Sequence, residues 1–126
     1  MKVLIVEDNE LNMQLVADLL TWHGFTVLRA VTGARALVLA EEQQPDVILM
    51  DMALRGMDGF EITRALKQNP NTASIPVVAL TAYAGEQDRQ RALAAGCVGF
   101  VAKPIDTRTF PALVASFTGK GGGVNG

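Results

Sequence analysis

This sequence of 126 residues has little cysteine, few aromatic residues and no large excess of charge of either sign. The single cysteine, Cys97, excludes an internal disulfide and favours a reducing compartment. The formal net charge is −2, so the composition does not predict a basic surface for nucleic acid or for an anionic membrane. The apolar runs are far shorter than the roughly 20 residues that span a bilayer, and the N-terminus does not resemble a secretory signal. We therefore expect a cytoplasmic protein.

The length of the chain predicts one domain that buries a core of its own. Apolar residues make up 49% of the sequence, which is normal for a globular fold. We expect residues 1–118 to form this domain. Residues 119–126 are rich in glycine and offer little to bury, so we expect them to form a flexible tail.

Short apolar runs alternate along the chain with segments of helical periodicity. Residues 47–50, for example, are continuously apolar, which is typical of a strand buried on both faces of a parallel sheet. The predicted strands cover residues 3–6, 25–29, 47–51, 75–80 and 99–102, and the predicted helices lie between Asn9 and Gly24 and over residues 33–43, 60–68, 87–95 and 107–117. This alternation predicts an α/β domain of five βα units with a doubly wound parallel sheet. The common strand order for five strands is 2-1-3-4-5, as in flavodoxin-like folds.

Two of the predicted helices differ in how strongly their sequences favour packing. In the first, Leu11, Leu15 and Leu19 recur every fourth residue and predict a buried stripe, which Met13, Val16 and Leu20 widen. Trp22 is expected to be partly buried. Residues 87–95 are mostly small or polar, so we expect the fourth helix to pack less firmly than the others.

Acidic residues follow two strands that the predicted order makes neighbours. Glu7 and Asp8 follow the first strand, and Asp51 ends the third. The carboxyl ends of these strands border the crevice in which open α/β sheets bind their ligands, so we expect the three carboxylates to converge. Crowded carboxylates repel one another, and oxygen ligands beside solvent suit Mg²⁺. The sequence therefore predicts a magnesium site there.

Other strand ends carry groups that suit a phosphoryl group. Thr81 brings a hydroxyl donor, Ala82 lets a backbone N–H approach closely, and Lys103 brings a mobile positive charge. A carboxylate can act as a nucleophile towards phosphorus and form an aspartyl phosphate. We therefore interpret Asp51 as a phosphoryl acceptor served by a metal, a cation and hydrogen-bond donors.

The motifs that carry these residues occur in an order that resembles a known family. They are VLIVEDN at 3–9, DVILMD at 46–51, MDG at 57–59, PVVALTA at 76–82 and KPI at 103–105. Over about residues 2–118 the chain is similar to the CheY-like receiver domains of two-component response regulators. Its opening is most similar to single-domain DivK-like regulators and to the receivers of hybrid histidine kinases.

The resemblance implies a metal site and a phosphodonor. Glu7, Asp8, Asp51 and the backbone carbonyl of Ala53 would hold Mg²⁺. Asp51 would take a phosphoryl group from a histidine kinase or a histidine phosphotransfer protein. The family acts as a signalling switch, so the resemblance implies no enzyme with a separate substrate.

The resemblance also implies how the modified state is read. Lys103 would pair with the phosphoryl group, Thr81 would move to donate to it, and the N–H of Ala82 would contact it. Phe100 stands where the family places its switch aromatic, although an aromatic in this strand can also be plain core. The face formed by the fourth helix, fifth strand and fifth helix would then bind a downstream protein target. The peptide bond between Lys103 and Pro104 is expected to be cis.

Several alternatives stay open at the level of sequence. The chain could be the receiver of a hybrid histidine kinase that acts as a phosphorelay intermediate. A Mg²⁺-dependent phosphatase with an aspartyl nucleophile would need a second acid two residues after Asp51, where Ala53 stands. A flavin or nucleotide carrier of the same topology would need hydroxyls and glycine after the first strand, where acids stand instead. The acids could also be ordinary solvated surface residues.

Overall fold

Five strands and five helices alternate along the chain in a computed structural model that describes residues 1–54, 58–82 and 85–118. The strands are β1 (Lys2–Val6), β2 (Thr26–Ala30), β3 (Val47–Asp51), β4 (Val77–Thr81) and β5 (Gly99–Ala102). The helices are α1 (Glu10–Trp22), α2 (Gly33–Gln43), α3 (Gly59–Gln68), α4 (Glu86–Ala95) and α5 (Phe110–Phe117). The predicted tail at 119–126 lies outside the described residues. Within the described residues, no helix combines the length and the apolar character needed to cross a membrane.

The five strands form one parallel sheet in the order β2-β1-β3-β4-β5, which confirms the predicted fold. In the pairing of β1 with β3, Val6 lies opposite Met50. The next residue of each chain segment is an acid, so Glu7 lies alongside Asp51 at the carboxyl edge of the sheet. The parallel pairing of β1 and β3 therefore brings Glu7 and Asp51 together in space, although they are far apart in sequence.

The core has two layers, one on each face of the sheet. Side chains from α2, α3 and α4 pack on one face with Ile48 and Met50 of β3. Side chains from α1 and α5 pack on the other face with Val47 and Leu49 of the same strand. Because successive side chains of a strand point to opposite faces, β3 contributes to both layers and all five of its residues are buried.

Helix α1 buries only one side of the predicted stripe: Met13, Val16 and Leu20 are buried as expected, and Leu19 is partly buried. Leu11 and Leu15 are 69% and 63% exposed, and Trp22 is 86% exposed. The buried residues of the helix are Met13, Val16, Ala17 and Leu20. The predictions that Leu11 and Leu15 are buried and that Trp22 is partly buried are therefore wrong. This helix is apolar on two faces, so periodicity could not decide which of them meets the sheet.

Helix α4 is held by few apolar contacts, in line with its small and polar sequence. Its buried residues are Ala92 and Ala95, which have little surface to bury. Its N-cap residue, Gly85, has no side chain with which to satisfy the free backbone N–H groups of the first turn. The helix contacts α3 and β5.

Two glycines permit close approaches between neighbouring elements. A Cβ atom on Gly59 would lie 2.8 Å from the backbone oxygen of Asp51 and 2.7 Å from the sulfur of Met52. The first turn of α3 therefore rests directly on the backbone that carries Asp51. A Cβ atom on Gly99 would collide with the ring of Phe117, so this ring from the last turn of α5 packs directly against the start of β5.

We predict that Gly59→Ala lowers the free energy of unfolding by about 1–3 kcal/mol, the usual cost of overpacking, because backbone atoms must move to admit the methyl group. Gly85→Ala is the control for added volume: its Cβ would make an ordinary contact, 3.6 Å from a carboxylate oxygen of Asp88, so the only cost expected is about 0.5 kcal/mol for alanine at an N-cap. Urea denaturation of both variants and the wild type measures the difference. Equal stability of the two variants would show that α3 does not press on the Asp51 backbone.

Candidate functional site

Three carboxylates meet at the carboxyl edge of the sheet, between β1 and β3. One oxygen from each of Glu7, Asp8 and Asp51 can be chosen so that all three lie within 4.8 Å of one another. Glu7 and Asp8 follow β1 directly, and Asp51 is the last residue of β3. The structure thus brings together the three acids that sequence analysis placed at neighbouring strand ends.

Burial makes this cluster electrostatically unfavourable. Glu7 is 3% exposed and Asp51 is 4% exposed, whereas Asp8 is half-buried. Burial, and next to it a hydrogen bond with Asp51, raise the pKa of Glu7 above its ordinary value. The backbone N–H of Asn9, 3.1 Å from the Oε2 atom of Glu7, acts in the opposite direction. A group of acids arranged in this way favours the arrival of a proton or a cation.

Lys103 brings a positive charge to the cluster from the loop after β5. Its Nζ atom lies 3.3 Å from Oδ1 of Asp51 and 3.5 Å from Oε1 of Glu7. Its backbone N–H donates to the carbonyl of Thr81 at 2.7 Å, which fixes the start of the loop on the end of β4. The peptide bond between Lys103 and Pro104 is cis, as expected. Lys103 balances one of the negative charges that three ionised carboxylates would carry, so the cluster keeps an excess of negative charge.

The remaining predicted residues lie along the same edge. The backbone N–H of Ala53 donates to Oδ1 of Asp51 at 3.1 Å, so the loop after β3 folds back over the carboxylate. Thr81 ends β4 next to β3 and is buried, and Ala82 follows it at an exposed position. Both therefore border the crevice, on the side opposite β1.

Phe100 lies one strand further from the acids. It stands on β5, opposite Ala79 of β4, and is half-buried against the apolar layer that α4 helps to form. The ring is thus part of the core beneath α4. It shares this layer with Ala92 of that helix.

A groove beside the acids was not foreseen from the sequence. It encloses a cavity of about 460 Å³ that runs from Glu7 and Lys103 along α1. Its other lining residues are Asn12, Leu15, Val16, Leu19, Leu80, Pro104, Ile105 and Thr107. The signal was present in the leucine-rich helix, but sequence analysis assigned Leu15 to the core.

The chemistry of the acid cluster fits Mg²⁺. All the side-chain ligands are carboxylate oxygens, which hard divalent cations prefer, and nitrogen or sulfur ligands are absent from the cluster of Glu7, Asp8 and Asp51. Magnesium also favours sites in which a few carboxylates leave room for water and a phosphate oxygen. The partial exposure of Asp8 provides the open side that such a site needs.

Comparison with known proteins agrees with this geometry. Residues 3–115 match the family described as the response regulator receiver domain. The polar-differentiation response regulator DivK of Brucella ovis is 43% identical over 117 residues, which cover 93% of this chain and 95% of DivK. DivK of Brucella anthropi matches to the same extent.

Solved structures give the same result. The chemotaxis protein CheY4 of Vibrio cholerae superposes with a TM-score of 0.87 at 29% identity, covering 92% of this chain and 97% of that one. The receiver domain of the sensor histidine kinase PA1611 from Pseudomonas aeruginosa, solved with a magnesium ion in its active-site cleft, has a TM-score of 0.86 at 34% identity, covering 94% and 98%. With the parallel sheet and its acidic edge, these matches show that the chain belongs to the family of response regulator receiver domains.

Proposed function

We propose that Asp51 accepts a phosphoryl group from a phosphohistidine and that the modified domain acts as a signalling switch rather than as an enzyme. The donor would be a histidine kinase or a histidine phosphotransfer protein. The observation that supports this most strongly is the position of Oδ1 of Asp51, 3.3 Å from Nζ of Lys103 within the acid cluster. A nucleophile, a cation for phosphoryl oxygens and ligands for a metal occupy one crevice.

The metal would be Mg²⁺, held by Glu7, Asp8, Asp51 and the backbone carbonyl of Ala53. When bound, Mg²⁺ would neutralise the crowded acids and supply positive charge to the oxygens of an incoming phosphoryl group. The magnesium ion in the receiver domain of PA1611 supports this assignment, as does the oxygen-only ligand set.

In the proposed transfer, a carboxylate oxygen of Asp51 forms a bond to phosphorus. The bond from phosphorus to the imidazole nitrogen of the donor breaks, and its electron pair stays on that nitrogen. Lys103 would turn from the Asp51 oxygen to a phosphoryl oxygen, a charge-assisted contact that its flexible stem allows. The hydroxyl of Thr81 and the backbone N–H of Ala82 would donate to the other phosphoryl oxygens.

The output would be a changed protein-binding face. Phosphorylation adds nearly two negative charges next to Thr81 and Lys103, which is a large local change. Movement of Thr81 towards these charges would open space into which the half-buried ring of Phe100 could turn. The surface formed by α4, β5 and α5 would then differ between the two states, and a downstream protein target would bind one of them.

We further propose that the phosphodonor docks on the groove along α1. The groove is continuous with the acid cluster through Glu7 and Lys103, so a protein seated in it would lie beside Asp51. Leu15 lines the groove and is exposed, as is Leu11 one turn earlier on α1, and exposed apolar surface of this kind is typical of a protein-binding site. The donor would therefore present apolar side chains next to its phosphohistidine.

The rival functions receive less support from the site. A phosphatase would need an acid at position 53, where the structure has an alanine whose N–H binds Asp51. A flavin or nucleotide carrier would have to place phosphate against Glu7 and Asp8, which would repel it. A phosphorelay role within a hybrid kinase uses the same acceptor chemistry and is the second form of the proposal, supported by the PA1611 receiver.

A cytoplasmic location is part of the same proposal. It is supported by the single cysteine, Cys97, which is free and therefore suits a reducing compartment.

Cys97 is not proposed as a functional residue. Burial raises the pKa of its thiol to about 11, so at neutral pH the residue is a protonated, poorly reactive thiol in the core. It behaves as a small apolar side chain and is not suited to redox sensing.

We predict that Asp51→Asn abolishes phosphorylation by acetyl phosphate in the presence of Mg²⁺, because an amide is not a nucleophile towards phosphorus. Intact-protein mass spectrometry measures the modified fraction. Asp18→Asn is the matched control, since Asp18 is exposed on α1 and its carboxylate accepts a bond from Gln14. Undiminished labelling of the Asp51 variant would rule out Asp51 as the acceptor.

We predict that Glu7→Gln has opposite effects on stability without and with Mg²⁺. Because burial raises the pKa of Glu7, the folded metal-free protein binds more protons than the unfolded chain just above the ordinary pKa of glutamate. Metal-free wild type should therefore lose stability as the pH rises through this range, and the variant should not.

At neutral pH the metal-free variant should unfold at a higher temperature than wild type, because it carries one buried charge fewer. Added Mg²⁺ should stabilise the wild type and bind the variant at least about tenfold more weakly, because a charged carboxylate ligand becomes a neutral amide. Thermal unfolding with and without Mg²⁺ tests both effects. Equal stabilisation of the two proteins by Mg²⁺ would show that Glu7 is not a ligand of the metal.

We predict that Leu15→Asn lowers the rate of phosphotransfer from a phosphorylated donor protein about tenfold, the loss expected from one central interface residue. The rate is normalised to acetyl phosphate labelling of the same variant, because acetyl phosphate needs no protein surface. Val38→Asn on α2 provides an exposed valine remote from the groove as control. An unchanged normalised rate for the Leu15 variant would contradict docking on this groove.

A further inference from the structure

Arg91 of α4 makes two contacts with the first turn of α3. Its guanidinium carbon lies 4.1 Å from the centroid of the Phe60 ring, which is the geometry of a cation–π contact. Its Nη2 atom lies 3.8 Å from Oδ2 of Asp58. The same guanidinium group thus meets an aromatic face and a carboxylate on one neighbouring helix.

These contacts matter because, among residues 1–54, 58–82 and 85–118, few other side chains hold α4 in place. The buried residues of this helix are Ala92 and Ala95, and its N-cap makes no side-chain hydrogen bond. Two alanines bury little apolar surface, so their packing resists sliding of the helix only weakly. Arg91 reaches across to a ring that is itself buried in the core.

The first turn of α3 is in turn fixed to the backbone at Asp51. Oδ1 of Asp58 accepts a hydrogen bond from the N–H of Phe60 at 2.8 Å and so caps the helix, while its other oxygen faces Arg91. Between them, Gly59 rests against the carbonyl oxygen of Asp51, with no room for a Cβ atom. A continuous path of contacts therefore runs from Arg91 through this turn to the backbone that carries the acceptor residue.

We propose that Arg91 is a positioning residue, which fixes α4 against the first turn of α3 and makes the placement of α4 depend on the backbone of Asp51. The dependence rests on the proposed function, in which α4 forms part of the face that a downstream protein binds. Arg91 would act without touching the phosphoryl group. Its role would be to carry a shift of the α3 turn to the surface of α4.

The type of residue supports the assignment. The planar guanidinium group can stack on the Phe60 ring and direct an N–H group to Asp58 at the same time. A lysine at this position would keep the charge but lose the flat face and the fork of donors. Arg91→Lys should therefore hold α4 better than Arg91→Ala does, but less well than the wild-type arginine.

The first test measures hydrogen exchange of the α4 amides in the unmodified protein. In Arg91→Ala we expect these amides to exchange about fivefold faster than in wild type, the shift that one exposed cation–π contact and one surface ion pair can produce together. Arg89→Ala, an exposed position on the same helix, should leave them unchanged. Alanine favours helix, so faster exchange would not come from a loss of helix propensity.

Amides of β3 serve as the internal reference for global stability. If α4 exchanges equally fast in the two alanine variants, Arg91 does not hold the helix and the proposal is overturned. Phe60→Leu tests the aromatic partner. In the double variant with Arg91→Ala, the increase in exchange should be smaller than the two single effects combined, because both substitutions remove the same cation–π contact while each also removes a contact of its own. Additive effects would overturn the shared contact.

The second test measures dependence on Asp51 with Mg²⁺ and beryllofluoride, a non-covalent mimic of the phosphoryl group. Loading should change α4 exchange in wild type, and this change should shrink at least about twofold in Arg91→Ala. An equal change in both proteins would overturn the dependence while leaving the acceptor function intact. No change in wild type would also overturn the dependence of α4 on Asp51, whereas the acceptor function is decided separately by the labelling of Asp51→Asn.

Discussion

Two buried carboxylates lie side by side because the parallel register of β1 and β3 places Glu7 next to Asp51. This arrangement is costly, since both groups are almost fully withdrawn from water and a third acid, Asp8, lies within reach. The surrounding structure answers that cost with Lys103 from the far edge of the sheet and with N–H groups from the loops. A site of this kind favours the binding of a cation, because a bound positive charge reduces the repulsion among the three carboxylates.

The fold and the acid cluster could be predicted from the sequence because both follow from strand ends. A parallel sheet brings all its carboxyl ends to one edge, so residues such as Glu7 and Asp51 meet whatever the length of chain between them. The continuous apolar runs of β1 and β3 identify central strands, and central strands in this topology are neighbours. The position of Lys103 follows from the same rule.

What could not be predicted depends on side chains choosing between two acceptable environments. Leu11 and Leu15 have the spacing of core residues, yet the side of α1 that carries Val16, Ala17 and Leu20 meets the sheet. The contact between Arg91 and Phe60 joins residues that are 31 positions apart and has no periodic signal in either helix. Features of this kind arise from tertiary packing, which no local pattern in the sequence encodes.

The stacking of Phe117 on Gly99 decides where this domain can be cut or joined to another protein. The ring packs on one face of the sheet at the start of β5, in the space that Gly99 leaves by having no side chain, and joins the apolar layer that α1 and α5 form. The stretch that matches the family ends at residue 115, two residues before this ring. A fragment trimmed to that limit would lose this ring and leave apolar surface of the sheet open to water, so an expression boundary or a fusion point belongs beyond Phe117.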